Sequence, residues 1–428
     1  MIGKYANASY ADMLQEALQP MQPNFAPGAQ YADDQRQFQG IPGIARAPGG
    51  RLWAIWFSGG QGESPFSYVV LVTSGDDGAT WSAPVMVVDP PDHVRAYDPC
   101  IWVDPNGRLW VFWTQAHTLH DGQWGVWTIT TEQPDLERPE WTAPRRLMDG
   151  VMLNKPTVLS NGEWLFPVSL MPSKSLGNEK RMLPKCFQTN LLERVSPDEQ
   201  ARINERAGAW VCATCDGGAT FAWRGRARAS GEVASHNEHM VVERRDGSLW
   251  MLMRTSYGIG QSVSTDAGAT WSPVTESGIP HTASRFFLSR LQSGRLLLVK
   301  HGPMETQDAA GNPQPITRDQ LTAYLSEDDG RTWPHRLLLE ERGCSYPDGM
   351  QDADGTINII YDHKRREEKQ ILLVRFNEED VIAGKFASPR AVQRMLVNQA
   401  TGIITEEQSW QRLKEQDGSR EQLIYTGI

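Results

Sequence analysis

The sequence predicts an all-β fold, a six-bladed β-propeller of four-stranded antiparallel blades, and two internal repeats carry the prediction. In the first repeat a turn glycine precedes a short apolar strand, as in the segment GRLWVFW. Six copies begin at Gly50, Gly107, Gly162, Gly247, Gly294 and Gly355, at intervals of 57, 55, 85, 47 and 61 residues. A four-stranded propeller blade occupies about 40–50 residues, so six copies indicate six blades.

The second repeat is a polar turn of the pattern SxDxGxTW. Its four copies span residues 74–81, 214–221, 264–271 and 326–333, and a degenerate fifth copy ends at Trp141. The aspartate of such a turn can accept backbone N–H bonds, and the final aromatic ring can fill space between blades. Because these turns join third strands to fourth strands, we expect them to be scaffold on one face of the propeller.

The 85-residue interval predicts an insertion within the third blade, where the segment LLERVSPDEQARINERAG has helical character. The chain is therefore divided into an N-terminal extension at 1–37, a propeller at 38–384 with its insertion at about 172–208, and a C-terminal helix and tail at 385–428. We expect any association between copies of the chain to use the insertion.

The two ends of the chain are predicted to pack outside the propeller. Residues 10–17 and 388–397 have helical character. No polar turn follows the apolar run at 371–376, so the sixth blade is expected to take its outer strand from upstream of Gln39. Such closure would remove a free sheet edge.

Composition excludes several classes of function. The 428 residues include 42 basic and 52 acidic side chains, a net charge of −10, which argues against a nucleic-acid surface. The sequence contains no run of about 18 apolar residues, so we expect no membrane span. The first residues lack the plan of a secretory signal, so we expect a cytoplasmic protein, or a periplasmic or secreted one whose signal has been removed. The pair Cys212 and Cys215 has no second pair to complete a zinc site, and we expect neither metal nor cofactor.

A ruler based on the turn glycines locates the candidate site. Nine residues before each glycine lies the start of the first strand, which lines the axis of a propeller. The loops from second to third strands open on the same face and add further polar groups. The six ring positions are Ile41, Asp98, Leu153, Glu238, Arg285 and Tyr346. The predicted pocket contains Asp98, Glu238, Arg254, Arg285, Arg318 and Tyr346, with His117, His236, His239 and His301 nearby.

Each of these residues also has a structural interpretation. Asp98 precedes a proline and could open a turn, and Arg285 could be the solvated neighbour of an apolar strand. Tyr346 could be a packed aromatic side chain, although its equivalence to Glu238 around the ring favours function. The histidines are more often core or rim groups, and the charged run at 363–369 is typical of a solvated loop.

At this point the motifs resemble those of the sialidase (neuraminidase) superfamily, in which the polar turns are called Asp boxes. The resemblance covers roughly residues 38–380. It implies that Tyr346 is a nucleophile and that Glu238 is the base that activates it. Arg254 and Arg318 resemble two arginines of a triad that binds the substrate carboxylate.

The chain departs from the family pattern in two places. The first-blade arginine is replaced by Gly40 in the segment QGIP, and Arg95 or Arg285 could compensate. The acid/base aspartate is absent from the loop FSGGQGESPFS, which offers only Glu63, and Asp98 is the other candidate.

The sequence therefore predicts a sialidase-like exo-glycosidase that releases a terminal acidic sugar from a glycan, without nucleic-acid or membrane partners. One alternative is another carbohydrate-active enzyme, such as a rhamnosidase or a uronate-directed hydrolase or lyase, in which Lys155 and the histidines near Glu238, including His236, would act. The other is a non-catalytic glycan-binding propeller.

Overall fold

The computed structural model describes residues 8–60, 62–64, 67–91, 93–178, 180, 188–231, 233–307, 311 and 315–403. Within these ranges 24 strands form six antiparallel four-stranded sheets, and each sheet uses four strands in chain order. Neighbouring sheets contact each other, and the first sheet contacts the last. The predicted six-bladed β-propeller is confirmed.

The strands of each blade follow one another along the chain. Blade one contains β1 (Phe38–Arg46), β2 (Leu52–Gly59), β3 (Tyr68–Ser74) and β4 (Met86–Val88). Blade two contains β5 (Val94–Val103), β6 (Leu109–His117), β7 (Gly125–Thr131) and β8 (Arg145–Met148). Blade three contains β9 (Thr157–Val158), β10 (Trp164–Leu170), β11 (Gly208–Thr214) and β12 (Ala222–Ala227).

The second half of the ring is built in the same way. Blade four contains β13 (Ala234–Glu243), β14 (Leu249–Thr255), β15 (Gly258–Ser264) and β16 (Thr275–Glu276). Blade five contains β17 (Phe287–Arg290), β18 (Leu296–His301), β19 (Leu321–Ser326) and β20 (His335–Glu340). Blade six contains β21 (Cys344–Gln351), β22 (Ile357–His363), β23 (Gln370–Phe376) and β24 (Val392–Gln399).

Helices lie outside the sheets. They are α1 (Tyr10–Ala17), α2 (Leu191–Arg194), α3 (Pro197–Arg206) and α4 (Glu378–Ala383), with 3₁₀ turns at Ala29–Tyr31, Asp33–Gln35 and Ser173–Asn178. The helix α1 lies in the N-terminal extension, and α2 and α3 lie between β10 and β11. Residues 179 and 181–187 of the predicted insertion lie outside the described residues. No helix in the described ranges is long and apolar enough to cross a membrane.

The prediction for the outer edge of blade six is wrong. Residues 392–399, within and beyond the predicted C-terminal helix at 388–397, form β24 and pair antiparallel with β23. Among the described residues upstream of Gln39, Asn24 instead forms an isolated bridge to Val87 on the outer strand of blade one. The apolar spacing at 388–397 suits a helix locally, but pairing with an otherwise open edge of β23 overrides that preference. The propeller thus extends to Gln399.

Both repeats have the positions that the sequence predicts. The six turn glycines have φ between 80° and 105°, a region that favours glycine, and each follows the first strand segment of its blade. The four polar turns follow β3, β11, β15 and β19, so they join third strands to fourth strands. In antiparallel blades this end is opposite to the one at which second strands lead into third strands.

Aromatic and aliphatic side chains pack between neighbouring blades. Trp102 of blade two meets Trp164 of blade three edge-on, with 5.0 Å between ring centroids. A larger buried cluster spans blades four to six and includes Phe286, Leu298 and Tyr361. This packing holds the inner strands in fixed positions around the axis, where the candidate site lies.

Candidate active site

A repeated β-bulge builds the polar ring. In four blades two residues of the first strand stand opposite one residue of the second strand. The bulged pairs are Ile41-Pro42, Asp98-Pro99, Glu238-His239 and Tyr346-Pro347. The first residue of each pair has φ between 41° and 56°. This left-handed conformation costs a non-glycine residue about 1–3 kcal/mol and redirects its side chain. Four equivalent ring positions are thereby turned out of the regular pleat at one mouth of the channel.

The ring brings Tyr346 and Glu238 onto one arginine. Arg254, near the end of β14, donates from Nη1 to Glu238 Oε1 at 2.8 Å and to Tyr346 Oη at 3.2 Å. All three side chains are buried. Glu238 Oε2 is also buried, and it has no hydrogen-bond partner among the described residues. The carboxylate therefore retains an oxygen that can accept a proton.

The ionisation states of this pair follow from the surrounding charges. Burial disfavours the Glu238 carboxylate, but Arg254, His236 and further arginines outweigh it and lower the pKa of Glu238 below its usual value. Burial and the Glu238 charge raise the pKa of Tyr346, and nearby guanidinium groups offset only part of that rise. At neutral pH Glu238 is ionised and the Tyr346 phenol keeps its proton.

Three guanidinium groups surround the phenol. Besides Arg254, the guanidinium carbon of Arg318 lies 5.5 Å from the Tyr346 ring centroid, and that of Arg365 lies 4.6 Å from it. Arg318 donates to Ser345 Oγ and to the carbonyl of Ala283, both at 3.4 Å. Arg254 and Arg318 are thus gathered around Tyr346, together with a third arginine that the sequence had not indicated.

Arg365 occupies the space next to Gly40. A side chain at residue 40 would begin 3.5 Å from Arg365 Nε and 3.0 Å from Asp362 Oδ2. Arg365 also approaches Asp362 Oδ1 at 3.6 Å and Glu63 Oε1 at 3.7 Å. Its Nη2 is buried without a hydrogen-bond partner in the described part of the chain. The loop between β22 and β23 therefore places a cation beside the first-blade position from which an arginine is missing.

Asp98 and Glu63 form an acidic pair on the blade-one and blade-two side of the ring. Burial first, and the Glu63 charge second, raise the pKa of Asp98 to about 7, against a lowering effect of Arg95. Arg95 itself is buried, stacks 3.5 Å above the Tyr97 ring and donates to the carbonyl of Leu119 at 2.8 Å. Asp98 can therefore be protonated near neutral pH, as a proton donor requires.

Two residues predicted to bind substrate, Lys155 and Arg285, instead contact buried protein groups. Lys155 contacts the carboxylate of Asp348. Arg285 is buried and donates to Asn154 Oδ1 at 2.7 Å, with a longer contact of 3.4 Å to Asp348. Their polar atoms are engaged by protein groups, unlike those of Glu238 and Arg365 noted above.

Of the four candidate histidines, only His236 acts on the central pair, where it lowers the pKa of Glu238. His117 stacks on His93 and lies 3.6 Å from Glu16. His239 contacts the carbonyl of Trp210 at 2.8 Å, and burial lowers its pKa to about 4. His301 stacks on a second histidine, and burial lowers its pKa to about 3. The last three lie in blades two, four and five, where they pack against protein groups.

Sequence reasoning missed Arg365, Asn154 and Asp348. The only signal for the bulges was a proline after three of the ring residues, at 42, 99 and 347. No group of three or more His, Cys, Asp or Glu residues in the described ranges is arranged to hold a metal ion. The side chains gathered around Arg254 and Asp98 are a tyrosine, carboxyl groups and arginines.

Comparison with known proteins identifies the family. The family model described as a BNR repeat-like domain matches residues 50–359. The chain belongs to the BNR repeat-like domain family. An alignment over 152 residues relates this BNR repeat-like protein to a sialidase of Micromonospora viridifaciens at 27% identity. The alignment covers 32% of this chain and only 22% of the relative.

Solved structures show the same fold. The Hadza microbial sialidase Hz136 matches with a TM-score of 0.58 at 17% identity, over 82% of this chain and 68% of that one. The NanB sialidase from Streptococcus pneumoniae matches with 0.57 at 13% identity, over 85% and 71%. A protein of unknown function from Dyadobacter fermentans matches with 0.57 at 16% identity, over 88% and 96%. Together with the family match, these likenesses confirm the predicted membership of the sialidase superfamily for this BNR repeat-like chain.

Proposed function

We propose that the protein is a sialidase-like exo-glycoside hydrolase that releases a terminal acidic sugar, sialic acid or a related one, from a glycan. The observation that carries the proposal is the arrangement of Tyr346, Glu238 and Arg254. One arginine nitrogen contacts both the phenol and the carboxylate, and the second carboxylate oxygen is open to a proton. A glycan-binding protein without catalysis has no need of a buried phenol–carboxylate pair.

The proposed first step forms a glycosyl–enzyme bond. Glu238 takes the proton of Tyr346, and the phenolate oxygen attacks the anomeric carbon while the bond to the leaving-group oxygen breaks. A second carboxyl group, on the opposite side of the polar ring that surrounds the propeller axis, protonates that oxygen. In the second step the same group, now a carboxylate, takes a proton from water, the water oxygen displaces Tyr346 Oη, and the phenolate recovers its proton from Glu238. A tyrosine nucleophile is a known exception to the two-carboxylate scheme of glycosidases.

Asp98 is our assignment for the acid/base group. A general acid must carry its proton at the working pH, and the pKa of Asp98 is raised to about 7 by burial and by Glu63. Glu63 supports this state, because its charge disfavours ionisation of Asp98. Glu63 also lies 3.7 Å from Arg365, which gives it an ion-pairing role.

The anionic group of the sugar is proposed to bind Arg254, Arg318 and Arg365. Guanidinium groups recognise carboxylates through two parallel N–H bonds, and three of them around one phenol can hold a carboxylate beside the reacting carbon. Arg365 takes over the task of the arginine absent at Gly40. The curated relative and two of the matched structures are named as sialidases, which is consistent with this substrate class.

A mechanism-based trap tests the proposal. A 2,3-difluorinated sialic acid slows hydrolysis of the glycosyl–enzyme and should leave a covalent adduct on the peptide that contains Tyr346, detected by mass spectrometry after digestion. Tyr361, a buried tyrosine of the same blade, is the internal control and should remain unmodified. Absence of any adduct, together with no release of sugar from sialosides or other acidic glycosides, would refute the assignment.

The released product distinguishes hydrolysis from elimination. Hydrolysis adds water and leaves a saturated sugar, whereas elimination creates a double bond that absorbs in the ultraviolet. We expect a saturated product. An unsaturated uronate would instead favour a lyase.

A further inference from the structure

A chain of buried hydrogen bonds crosses the propeller axis beneath the candidate site. It begins at Asn154, which follows the ring position of blade three and lies outside any strand. The amide nitrogen of Asn154 donates to the carbonyl oxygens of Glu238 and His239, both at 3.0 Å. These are the two residues of the blade-four bulge, so one side chain holds both peptide carbonyls of that bulge.

Arg285 fixes the orientation of this amide and carries the chain onward. Its Nε can only donate, and it lies 2.7 Å from Asn154 Oδ1, so the amide nitrogen must face the bulge. Arg285 also contacts Asp348 Oδ1 at 3.4 Å and the carbonyl of Pro42 at 3.5 Å. Arg285 thereby connects blade three to blades six and one.

Asp348 forms the far end of the chain. It is the residue at which pairing of β21 with β22 resumes, directly after the bulge that contains Tyr346. Its Oδ2 accepts the backbone N–H of Ile44 at 2.9 Å and contacts the ammonium group of Lys155. The bulge that presents the carboxylate and the bulge that presents the phenol are therefore joined through Asn154, Arg285 and Asp348.

We propose that Asn154 and Arg285 are positioning residues that set the Glu238 carboxylate relative to the Tyr346 phenol. The inference rests on the proposed function for its effect on catalysis, but the physical link does not depend on the substrate. A left-handed bulge at a non-glycine residue persists only when its surroundings hold it, and the two bonds from Asn154 are such a constraint. This gives Arg285 a role through other residues, in place of the substrate contact expected from the sequence.

The chain offers a matched control between the same two blades. Thr157 of β9 donates from Oγ1 to the carbonyl of Val241 in β13 at 2.6 Å. This bond also runs from blade three to the backbone of β13, but it lies beyond the bulge and makes no contact with Arg285. Thr157→Val therefore removes a comparable bond without touching the chain across the axis.

Hydrogen exchange of the substrate-free protein, read by mass spectrometry, is the primary test. In Asn154→Leu we expect backbone amides at 344–351 in blade six to exchange about tenfold faster or more, since loss of the bridge loosens a distant bulge. Thr157→Val should leave that peptide unchanged. If Asn154→Leu fails to fold, Asn154→Asp serves instead, because it keeps the volume and the Arg285 contact but sets a carboxylate oxygen against two carbonyl oxygens. Equal exchange at 344–351 in the Asn154 and Thr157 variants would overturn the proposal.

Kinetics give the second measurement. Misplacement of the base by about 1 Å should lower kcat by about 10²-fold in Asn154→Leu with KM within about twofold, because the arginines that bind the anion remain. Thr157→Val should retain kcat. If residues 344–351 exchange faster in Asn154→Leu but the wild-type protein hydrolyses no acidic glycoside, the physical link is supported and the proposed function is refuted. An unchanged kcat in an active, folded Asn154→Leu protein would overturn the positioning role.

Discussion

The two faces of the propeller use polar side chains in opposite ways. On the Asp-box face the aspartates are satisfied within their own turns; Asp266, for example, accepts bonds from Ser264 Oγ at 2.7 Å and from the Thr270 amide and hydroxyl at 2.9 and 2.6 Å. On the other face Glu238 Oε2 and Arg365 Nη2 are buried without partners among the described residues. Aspartates that are fully bonded within their own turns are typical of scaffold, whereas buried charged groups with unbonded polar atoms are typical of a binding site.

The largest loss of activity should follow from removal of the Tyr346 phenol oxygen on the site face. Tyr346→Phe is expected to lower kcat by about 10³-fold or more, because it removes the oxygen proposed to attack the sugar, while Tm changes by less than about 2 °C. The matched variant is Tyr361→Phe, which loses a core hydrogen bond of 3.1 Å to Glu340. It should lose about 1 kcal/mol of stability and keep kcat within about twofold. Full activity of Tyr346→Phe would remove the nucleophile from the mechanism.

Next in size is the effect of Asp98. A raised pKa of about 7 means that the general acid is protonated below that pH and loses its proton above it, so the wild-type rate should fall as pH rises through about 7. Because the pKa of Glu238 is lowered, the acidic limb should lie below about pH 4.5. Asp98→Asn should lower kcat by about 10²–10⁴-fold on glycans and abolish the alkaline limb.

Leaving groups distinguish the two carboxyl candidates. The aryloxide leaving group of an aryl glycoside can depart without being protonated. Asp98→Asn should therefore be much less impaired on an aryl glycoside than on a glycan. Glu63→Gln is the comparison variant and should retain most of its rate on both substrates. The reverse pattern would assign the acid/base role to Glu63.

Arg365 is expected to act on binding. Arg365→Met should raise KM for an acidic glycoside about 10–100-fold, the loss expected for a hydrogen bond to a charged group, with a smaller change in kcat. Arg366→Met removes the same charge from an exposed neighbour and should leave KM within about twofold. Equal KM values in the two variants would show that the anion does not contact Arg365.

A charge relocation sharpens this test. Gly40 does not have a positive φ, and a side chain there would enter the space that Arg365 now fills beside Asp362. In an Arg365→Gly background, Gly40→Arg should therefore recover at least part of the lost affinity. No recovery would mean that the loop of blade six holds the guanidinium in a place the first blade cannot reach.

The sequence predicted those features that depend on the internal repeats and on local strand register. The turn glycines fixed the blade count, and counting back from them placed Glu238 and Tyr346 on equivalent ring positions. The position of Arg365 could not be read in this way, because it depends on a gap left by Gly40, more than 300 residues away in the chain. Likewise the helical spacing at 388–397 gave no sign of the open edge that β24 completes. The space beside Gly40 and the open edge of β23 are both filled by segments distant in the chain. Such tertiary contacts cannot be read from local sequence patterns.

The smallest effect, and the one that tests the scaffold side of the comparison, concerns the Asp box of blade four. Hydrogen bonds to Thr270 and Ser264 lower the pKa of Asp266 to about 2. A lowered carboxyl pKa stabilises the fold above its unfolded value of about 4, and that contribution is lost as pH falls from about 4 to about 2. Asp266→Asn should therefore lower Tm modestly at pH 7, leave kcat unchanged, and converge with the wild type in Tm near pH 2. A Tm difference that persisted undiminished at pH 2 would mean that the ionised carboxylate is not what stabilises the turn, and a loss of kcat with intact Tm would end the division of the propeller into a scaffold face and a site face.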